Sequence, residues 1–188
     1  MSAPRPPYLP GDPTPEAEIA AMIRVDHAGE YGATRIYDGQ LGILARGRAS
    51  DEIRRMAEQE TRHLAAFDEL VRARQVRPTL LHPLWRVAGY ALGAATALLG
   101  ERAAMACTVA IEEVIDEHYR AQAERLGDPD PKLADPNLAE TILAFRADEL
   151  RHRDAALAHG AADSFGFELI CTFVQTGSRL AIWLSTRI

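Results

Sequence analysis

The sequence is poor in cysteine and in long apolar runs, and each shortage excludes a class of protein. The two cysteines, Cys107 and Cys171, lie in apolar contexts and in no Cys-x-x-Cys motif, so we expect buried thiols rather than a disulfide framework or a cysteine-based zinc site. The longest uncharged run, Val87–Gly100, is shorter than the roughly 18 residues that a membrane-spanning helix needs. A formal net charge of −6 argues against a general nucleic-acid-binding protein, so no nucleic-acid partner is expected.

Proline is concentrated at the amino terminus, in MSAPRPPYLPGDPTP. This composition predicts an extended, flexible arm over 1–15. The arm has neither the apolar run of a signal peptide nor the amphipathic Arg/Ser pattern of a transit peptide, so we expect a protein that is not secreted. The remaining residues, 16–188, are expected to form a single domain.

Most of the chain follows the helical period, and strand-like alternation is scarce. We predict helices over 15–46, 51–75, 94–126 and 136–159, and a last helix from Asp163 or Ser164 nearly to the carboxyl terminus. Thr14 before Pro15 and Ser50 before two acids are the expected amino-terminal caps. Short turns join the first helix to the second and the third to the fourth, whereas a long crossover, 78–92, joins the two pairs. This order predicts an all-α, ferritin-like four-helix bundle of two helical hairpins, with an apolar crossover helix and a C-terminal helix added.

Two Glu-x-x-His motifs, Glu60–His63 and Glu149–His152, lie on mostly apolar faces of the second and fourth predicted helices. The first and third helices each carry one glutamate on an apolar face, Glu30 and Glu112. Each of these has a tyrosine seven residues further on, which fits a pseudo-repeat of two hairpins.

The predicted bundle therefore buries four carboxylates and two imidazoles together. Buried unpaired carboxylates are costly, but two divalent cations would neutralise them. One Glu from each of two helices and one Glu-x-x-His from each of the others is the ligand pattern of di-iron and di-manganese carboxylate bundles. The oxygen-rich set disfavours zinc, so the residues favour iron first and manganese second.

The crossover and the last helix are apolar and carry arginine beside tryptophan, as in Trp85–Arg86 and around Trp183. No acidic residue lies between Glu69 and Glu101. Such segments suit contact with an anionic membrane surface, although a buried core helix or an oligomer interface has the same composition.

Three stretches resemble the demethoxyubiquinone hydroxylase family of ubiquinone biosynthesis: RVDHAGEYGATRIYDGQ (24–40), RPTLLHPLWRVAGYALGAATALLG (77–100) and AMACTVAIEEVIDEHY (104–119). The resemblance covers about 20–188. It implies a di-iron monooxygenase that uses O2 and two ferrous ions per chain to hydroxylate a polyprenyl benzoquinol lacking one methoxy group. The family's ligand positions fall on Glu30, Glu60, His63, Glu112, Glu149 and His152.

The resemblance also implies a setting and partners. A peripheral protein is expected on the cytoplasmic face of a bacterial cell membrane, or on the mitochondrial inner membrane in a eukaryote, with other ubiquinone-biosynthesis proteins as candidate partners. The family is linked to NADH, but the sequence has no dinucleotide-binding motif, so a separate reductase or the quinol itself remains open.

Four further residues have open roles. The resemblance makes His118 and Tyr119 candidates for handling protons or electrons near the metals, and the alternative is a surface histidine and a packed tyrosine. Asp26 and His27, one turn before Glu30, are candidates for hydrogen bonds to the ligands. The Gly-rich part of the crossover serves either close approach of the substrate ring or close helix packing.

Two other classes remain. A ferritin-like ferroxidase or peroxide-reducing protein would share the six ligands but would not need the apolar crossover. A membrane-associated scaffold would use that crossover but would leave the buried carboxylates unexplained. Metal content and membrane sedimentation together separate these three functions.

Overall fold

The computed structural model describes residues 11–127 and 133–188, so most of the predicted arm lies outside the described residues. The described residues are mainly helical. The helices are α1 (Pro15–Ile43), α2 (Arg48–Ala73), α3 (His82–Leu98), α4 (Glu101–Leu126), α5 (Pro136–Ala158), a short 3-10 helix (Ala161–Asp163) and α6 (Phe167–Arg187). The predicted all-α class is confirmed.

The helix starts at α1 and α5 follow ordinary capping chemistry. Thr14 Oγ1 accepts a hydrogen bond from the backbone N–H of Ala17 at 3.2 Å, as predicted. Asp135 caps α5 by accepting from the N–H of Leu138 at 3.1 Å. These side chains satisfy backbone donors that have no partner inside the helix.

The predicted cap of the second helix is wrong. α2 begins at Arg48, and its N-cap is Gly47 at φ +129°. The hydroxyl of Ser50 lies inside the first turn and donates to the carbonyl oxygen of Gly47 at 2.8 Å. A serine in the first turn can bond back to the chain in this way, which competes with a capping role.

The predicted third helix, 94–126, is also wrong at its start. Gly100 has φ +112° and separates α3 from α4, so the crossover is itself a helix over its greater part. The predicted last helix starts too early: Asp163 ends the 3-10 helix, and Gly166 at φ +71° precedes α6. Positive φ values favour glycine. At each of these glycines the chain changes direction between one helix and the next.

α1 packs along α2 and α4 packs along α5, which gives the two predicted hairpins. α3 lies against α1, and α6 lies against α4 and part of α1. A Cβ built on Gly93 would lie 1.9 Å from the carbonyl oxygen of Ile36, and one built on Gly39 would lie 2.2 Å from that of Tyr90. The glycines of the crossover therefore serve close helix packing at these positions.

Two apolar clusters occupy the two ends of the bundle. One includes Ile53, Met56 and Met105, and the other includes Ile23 and Phe67. The polar side chains of the candidate site lie between them, near the middle of four helices. Within the described part of the chain, no helix has the length and apolarity that crossing a membrane requires.

Candidate metal centre

Six carboxylate and imidazole side chains from four helices meet in the middle of the bundle, and all are buried. They form two overlapping groups that share Glu60 and Glu149, and the ligand atoms within each group lie within 4.8 Å of one another. The first group is Glu30, Glu60, His63 and Glu149, and the second is Glu60, Glu112, Glu149 and His152. All six predicted metal-site residues are thus brought together.

The spacing within each motif places its two side chains on one helical face. The Nδ1 atom of His63 lies 3.1 Å from Glu149 Oε1. The Nδ1 atom of His152 lies 3.1 Å from Glu60 Oε1 and 3.1 Å from Glu149 Oε2. Each imidazole therefore directs Nδ1 toward the centre and Nε2 away from it.

The electrostatics of the cluster are unfavourable for the charges that its own side chains carry. Burial, followed by the charges of neighbouring carboxylates, raises the pKa of Glu60 well above its ordinary value and that of Glu112 to about 8. Burial alone would lower the pKa of His63, but the nearby carboxylates of Glu149 and Glu30 raise it to about 10. In the same way, the nearby carboxylates of Glu112, Glu149 and Glu60 outweigh burial and raise the pKa of His152 to about 12. The cluster thus retains protons where cations would bind.

Three buried atoms of the cluster lie close to charged neighbours but make no hydrogen bond of regular geometry: Glu30 Oε2, Glu60 Oε1 and His63 Nδ1. Buried polar atoms without partners are rare in native proteins and call for an explanation such as an ion. Each of these three atoms belongs to a residue of the first group. Four carboxylates and two imidazoles also match the donors that iron and manganese accept, so the residues fit two divalent cations.

The two tyrosines of the pseudo-repeat contact the centre in a crossed arrangement. Tyr37 on α1 donates a hydrogen bond to Glu112 Oε1 on α4 at 3.0 Å. Tyr119 on α4 donates to Glu30 Oε1 on α1. Each tyrosine therefore binds the glutamate of the other hairpin, and together they hold α1 and α4 in register.

His118 and its partners lie behind Tyr119. Asp26 Oδ1 accepts hydrogen bonds from His118 Nε2 at 3.0 Å and from Gln122 Nε2 at 2.8 Å. His118 also lines a surface cleft of about 210 Å³ with Val114, Glu117, Arg179 and Ile182. His118 is therefore neither fully buried nor an isolated surface histidine.

Asp26 and His27, candidates for hydrogen bonds to the metal-site residues, bond other side chains instead. Asp26 bonds His118 and Gln122 as above, and His27 Nε2 donates to Asp68 Oδ1 at 2.9 Å. Their positions one turn before Glu30 place them beside the cluster, but their side chains point to neighbouring helices.

Sequence reasoning missed Asp148 and Gln59, which lie behind the two imidazoles. His63 Nε2 donates to Asp148 Oδ2 at 3.0 Å, and His152 Nε2 lies 3.3 Å from Gln59 Oε1. Each of these residues directly precedes the glutamate of a Glu-x-x-His motif. That shared position is the one signal in the sequence for these two residues. It can be interpreted only once the packing of α2 against α5 is known.

Several known hydroxylases are similar to this chain over most of its length. A 3-demethoxyubiquinol 3-hydroxylase from Rhodospirillum rubrum is 54% identical over 181 residues, covering 96% of this chain and 83% of that protein. The mitochondrial NADPH-dependent 3-demethoxyubiquinone 3-hydroxylase of Homo sapiens is 48% identical over 172 residues, covering 92% and 79%. The mitochondrial 5-demethoxyubiquinone hydroxylase of Saccharomyces cerevisiae is 40% identical over 184 residues, covering 92% and 79%. The family model for the ubiquinone biosynthesis protein COQ7 matches residues 17–185, and the chain belongs to this family.

Proposed function

We propose that the protein is an O2-dependent monooxygenase that hydroxylates the ring of a polyprenylated demethoxybenzoquinol in ubiquinone biosynthesis. The observation that carries this proposal is the buried cluster of four carboxylates and two imidazoles in a chain of the COQ7 family. The Rhodospirillum rubrum relative bears the name of this activity at 54% identity. Residues 16–188 would act as a single domain, since the helices that carry the cluster pack against one another.

The proposed cofactor is a pair of ferrous ions held by the two overlapping groups. Their ligands would be Glu30, Glu60, His63, Glu112, Glu149 and His152. When bound, iron would supply the activation of O2, which protein side chains alone do not achieve. The chain contributes a site that is buried and apolar at both ends, so water is excluded from the reaction.

His118 and Tyr119 would carry protons or electrons between the surface cleft and the cluster. Burial, followed by the charges of Glu30 and Asp26, raises the pKa of Tyr119 well above its ordinary value, so its phenol stays protonated and can donate to Glu30. The human relative is named NADPH-dependent, so we propose NADPH as the reductant in place of the NADH implied by the resemblance.

The substrate's prenyl tail would reach the enzyme from a membrane, so we propose a peripheral membrane location. α3 and α6 expose apolar side chains in rows, among them Leu84, Val87, Leu169 and Phe173. The proposed location is the cytoplasmic face of a bacterial cell membrane, or the inner mitochondrial membrane in a eukaryote, where the human and yeast relatives are named mitochondrial. Other ubiquinone-biosynthesis proteins are proposed as partners.

The test is the quinone profile, by mass spectrometry, of the source organism with this gene deleted. We expect a ubiquinone precursor lacking one methoxy group to accumulate. The wild-type gene should restore ubiquinone and Glu112→Ala should not. Glu113→Ala is the matched control, because Glu113 is the exposed neighbour whose carboxylate accepts a bond from Gln175 at 2.7 Å.

A normal ubiquinone profile in the deletion strain, with no second hydroxylase in the genome, would remove the proposed substrate. Iron oxidation or peroxide consumption by the purified protein, without quinol, would then favour the ferritin-like alternative.

A further inference from the structure

The two metal positions of the proposed centre have unequal surroundings. We infer that Asp148 and Gln59 act as positioning residues that set the order of metal binding, so that the position at His63 fills first and more tightly. This inference rests on the proposed function, because it requires that the two groups bind metals.

The inward-facing ligands of the two positions are closely matched. Each group has three carboxylates and one imidazole, and Glu60 and Glu149 belong to both. The carboxylates that differ, Glu30 and Glu112, each accept a hydrogen bond from a tyrosine. The carboxylate sets therefore give little reason for unequal affinity, and the two positions differ instead in the groups behind the imidazoles.

Behind His63 lies a carboxylate. His63 Nε2 donates to Asp148 Oδ2 at 3.0 Å, and the other oxygen of Asp148 is paired with Arg151. Because a carboxylate only accepts, this contact keeps a proton on Nε2 and makes Nδ1, which faces Glu149 and Glu30 at 3.1 and 3.6 Å, the nitrogen that gives up its proton to bind a metal.

Behind His152 lies a neutral amide at a longer distance. Its Nε2 is 3.3 Å from Gln59 Oε1. The two contacts are reciprocal in sequence, since Gln59 precedes Glu60 on α2 and holds the imidazole of α5, while Asp148 precedes Glu149 on α5 and holds the imidazole of α2. The fold therefore places a charge behind one imidazole and a dipole behind the other at equivalent positions.

The ring of His63 is also more tightly fixed. It stacks on Phe145 with ring centroids 4.0 Å apart and an interplanar angle of 19°. A ligand held in its binding orientation loses less freedom when the metal binds. The stacking on Phe145 and the contact with Asp148 therefore both favour tighter metal binding at the position of His63.

A carboxylate behind a ligating histidine fixes the tautomer and strengthens the imidazole as a donor, and its loss typically costs about 10-fold to 100-fold in metal affinity. A neutral amide fixes the tautomer but adds less donor strength. We therefore expect the first metal to bind at least about 10-fold more tightly than the second.

The test is titration of the full-length, metal-free protein with Co²⁺, followed by calorimetry and by the visible absorbance of the bound ion. Wild type should bind two ions in two steps. Glu30→Ala and Glu112→Ala assign the steps, because Glu30 belongs only to the first group and Glu112 only to the second. The tight step should be lost in Glu30→Ala, and the weak step should be lost in Glu112→Ala.

Two exchanges then test the positioning residues. Asp148→Asn keeps an oxygen acceptor of the same shape and removes the charge, so the tight step should weaken about 10-fold while the weak step stays unchanged. Gln59→Glu should tighten the weak step, a gain that loss of structure cannot produce. In the double variant Asp148→Asn/Gln59→Glu, the position at His152 should fill before the position at His63. Thermal unfolding of the metal-free variants checks that the fold is intact.

Two equal steps in wild type, or a tight step that Asp148→Asn leaves unchanged, would overturn the inferred order while leaving the metal centre in place. Failure of the wild-type protein to bind Co²⁺, Mn²⁺ or Fe²⁺ would overturn both this inference and the proposed cofactor. Loss of the tight step in Glu112→Ala would show that the position at His152 fills first.

Discussion

At the scale of single residues, Tyr119 bonds the candidate metal-binding cluster and is the chain neighbour of His118. Its hydroxyl donates to Glu30, while its neighbour His118 bonds Asp26 and lines the surface cleft. Tyr37 makes the equivalent bond to Glu112, and both tyrosines lie in apolar clusters. The two tyrosines thus offer a matched pair in which only Tyr119 has a histidine beside it in the chain that borders the surface cleft.

We predict that Tyr119→Phe lowers the hydroxylation rate about 100-fold, the range typical of a lost proton-transfer group, while two metals per chain are retained. Tyr37→Phe should lower the rate much less, because Tyr37, unlike Tyr119, is not the chain neighbour of His118, the other proposed proton carrier. Turnover measured with a soluble quinol, together with iron content, checks both. Equal losses in the two variants would show that the hydroxyls act only by holding Glu112 and Glu30.

The protons on the metal-free cluster give a second residue-scale prediction. With the pKa of His63 raised to about 10 and that of His152 to about 12, both imidazoles carry an extra proton at pH 7, and both must lose it to bind a metal. Filling both positions at pH 7 should therefore release about two protons or more, and metal affinity should rise as the pH rises.

Calorimetric titration with Co²⁺ in two buffers of different ionisation enthalpy measures this release. His152→Ala should release fewer protons than wild type, since one protonated ligand is gone. Metal affinity that stayed constant between about pH 6 and pH 8 would contradict the prediction.

The site residues themselves could be predicted because helical spacing alone places Glu60 and His63, or Glu149 and His152, on one apolar face. The partners behind the imidazoles could not. Asp148 on α5 contacts His63 on α2. That contact depends on how α5 is rotated relative to α2, and the residue spacing within either helix does not specify this rotation.

At the scale of helices, the crossing of α1 and α3 depends on glycines at several points of contact, of which Gly93 is the tightest. A Cβ on Gly93 would lie 1.9 Å from a backbone oxygen of α1 that cannot move away without displacing the helix. In contrast, a Cβ on Gly177 in α6 meets nothing within 4 Å. Both glycines lie within helices, so their replacement by alanine has the same effect on helix propensity and differs only in packing.

We predict that Gly93→Ala destabilises the protein by about 1–3 kcal/mol, the usual cost of overpacking. Gly177→Ala should stabilise it by about 0.5–1 kcal/mol, because alanine is the better helix former. Urea unfolding followed by circular dichroism measures both values. A Gly93→Ala variant as stable as Gly177→Ala would mean that α3 can move away from α1 at no cost.

Helix existence could be predicted from the sequence, whereas some boundaries could not. Thr14 and Pro15 carry a local signal that is sufficient for the start of α1. The break at Gly100 is different, because the residues before it remain apolar and helix-compatible, and only the backbone at φ +112° separates α3 from α4. The cap predicted at Ser50 was wrong for a related reason. The backbone turns at Gly47, so α2 begins at Arg48, before Ser50 is reached.

At the scale of the whole molecule, the protein combines a buried polar centre with exposed apolar residues on α3 and α6. The exposed apolar residues of α3, of its C-cap and of α6 include Leu98, Leu99, Leu169 and Phe173, all at least 70% exposed. Arg187 lies 4.3 Å from the ring of Trp183 on the same helix, so a cation accompanies the apolar row. An apolar face with aromatic and basic residues fits the interface of an anionic membrane.

We predict that the wild-type protein floats with vesicles of phosphatidylcholine and phosphatidylglycerol, and that Leu169→Glu/Phe173→Glu weakens this binding about 100-fold. Each exchange removes about 1.5 kcal/mol or more of binding free energy, because the apolar side chain is no longer buried in the membrane. Since about 1.4 kcal/mol corresponds to a tenfold change in affinity, two exchanges give about 100-fold. Leu143→Glu/Leu157→Glu is the matched control, since these leucines are 48% and 41% exposed but lie on α5. The control should float as wild type does. If wild type stays unbound and instead forms an oligomer that Leu169→Glu/Phe173→Glu dissociates, the face is an interface between copies, and the quinol must reach the centre by another path.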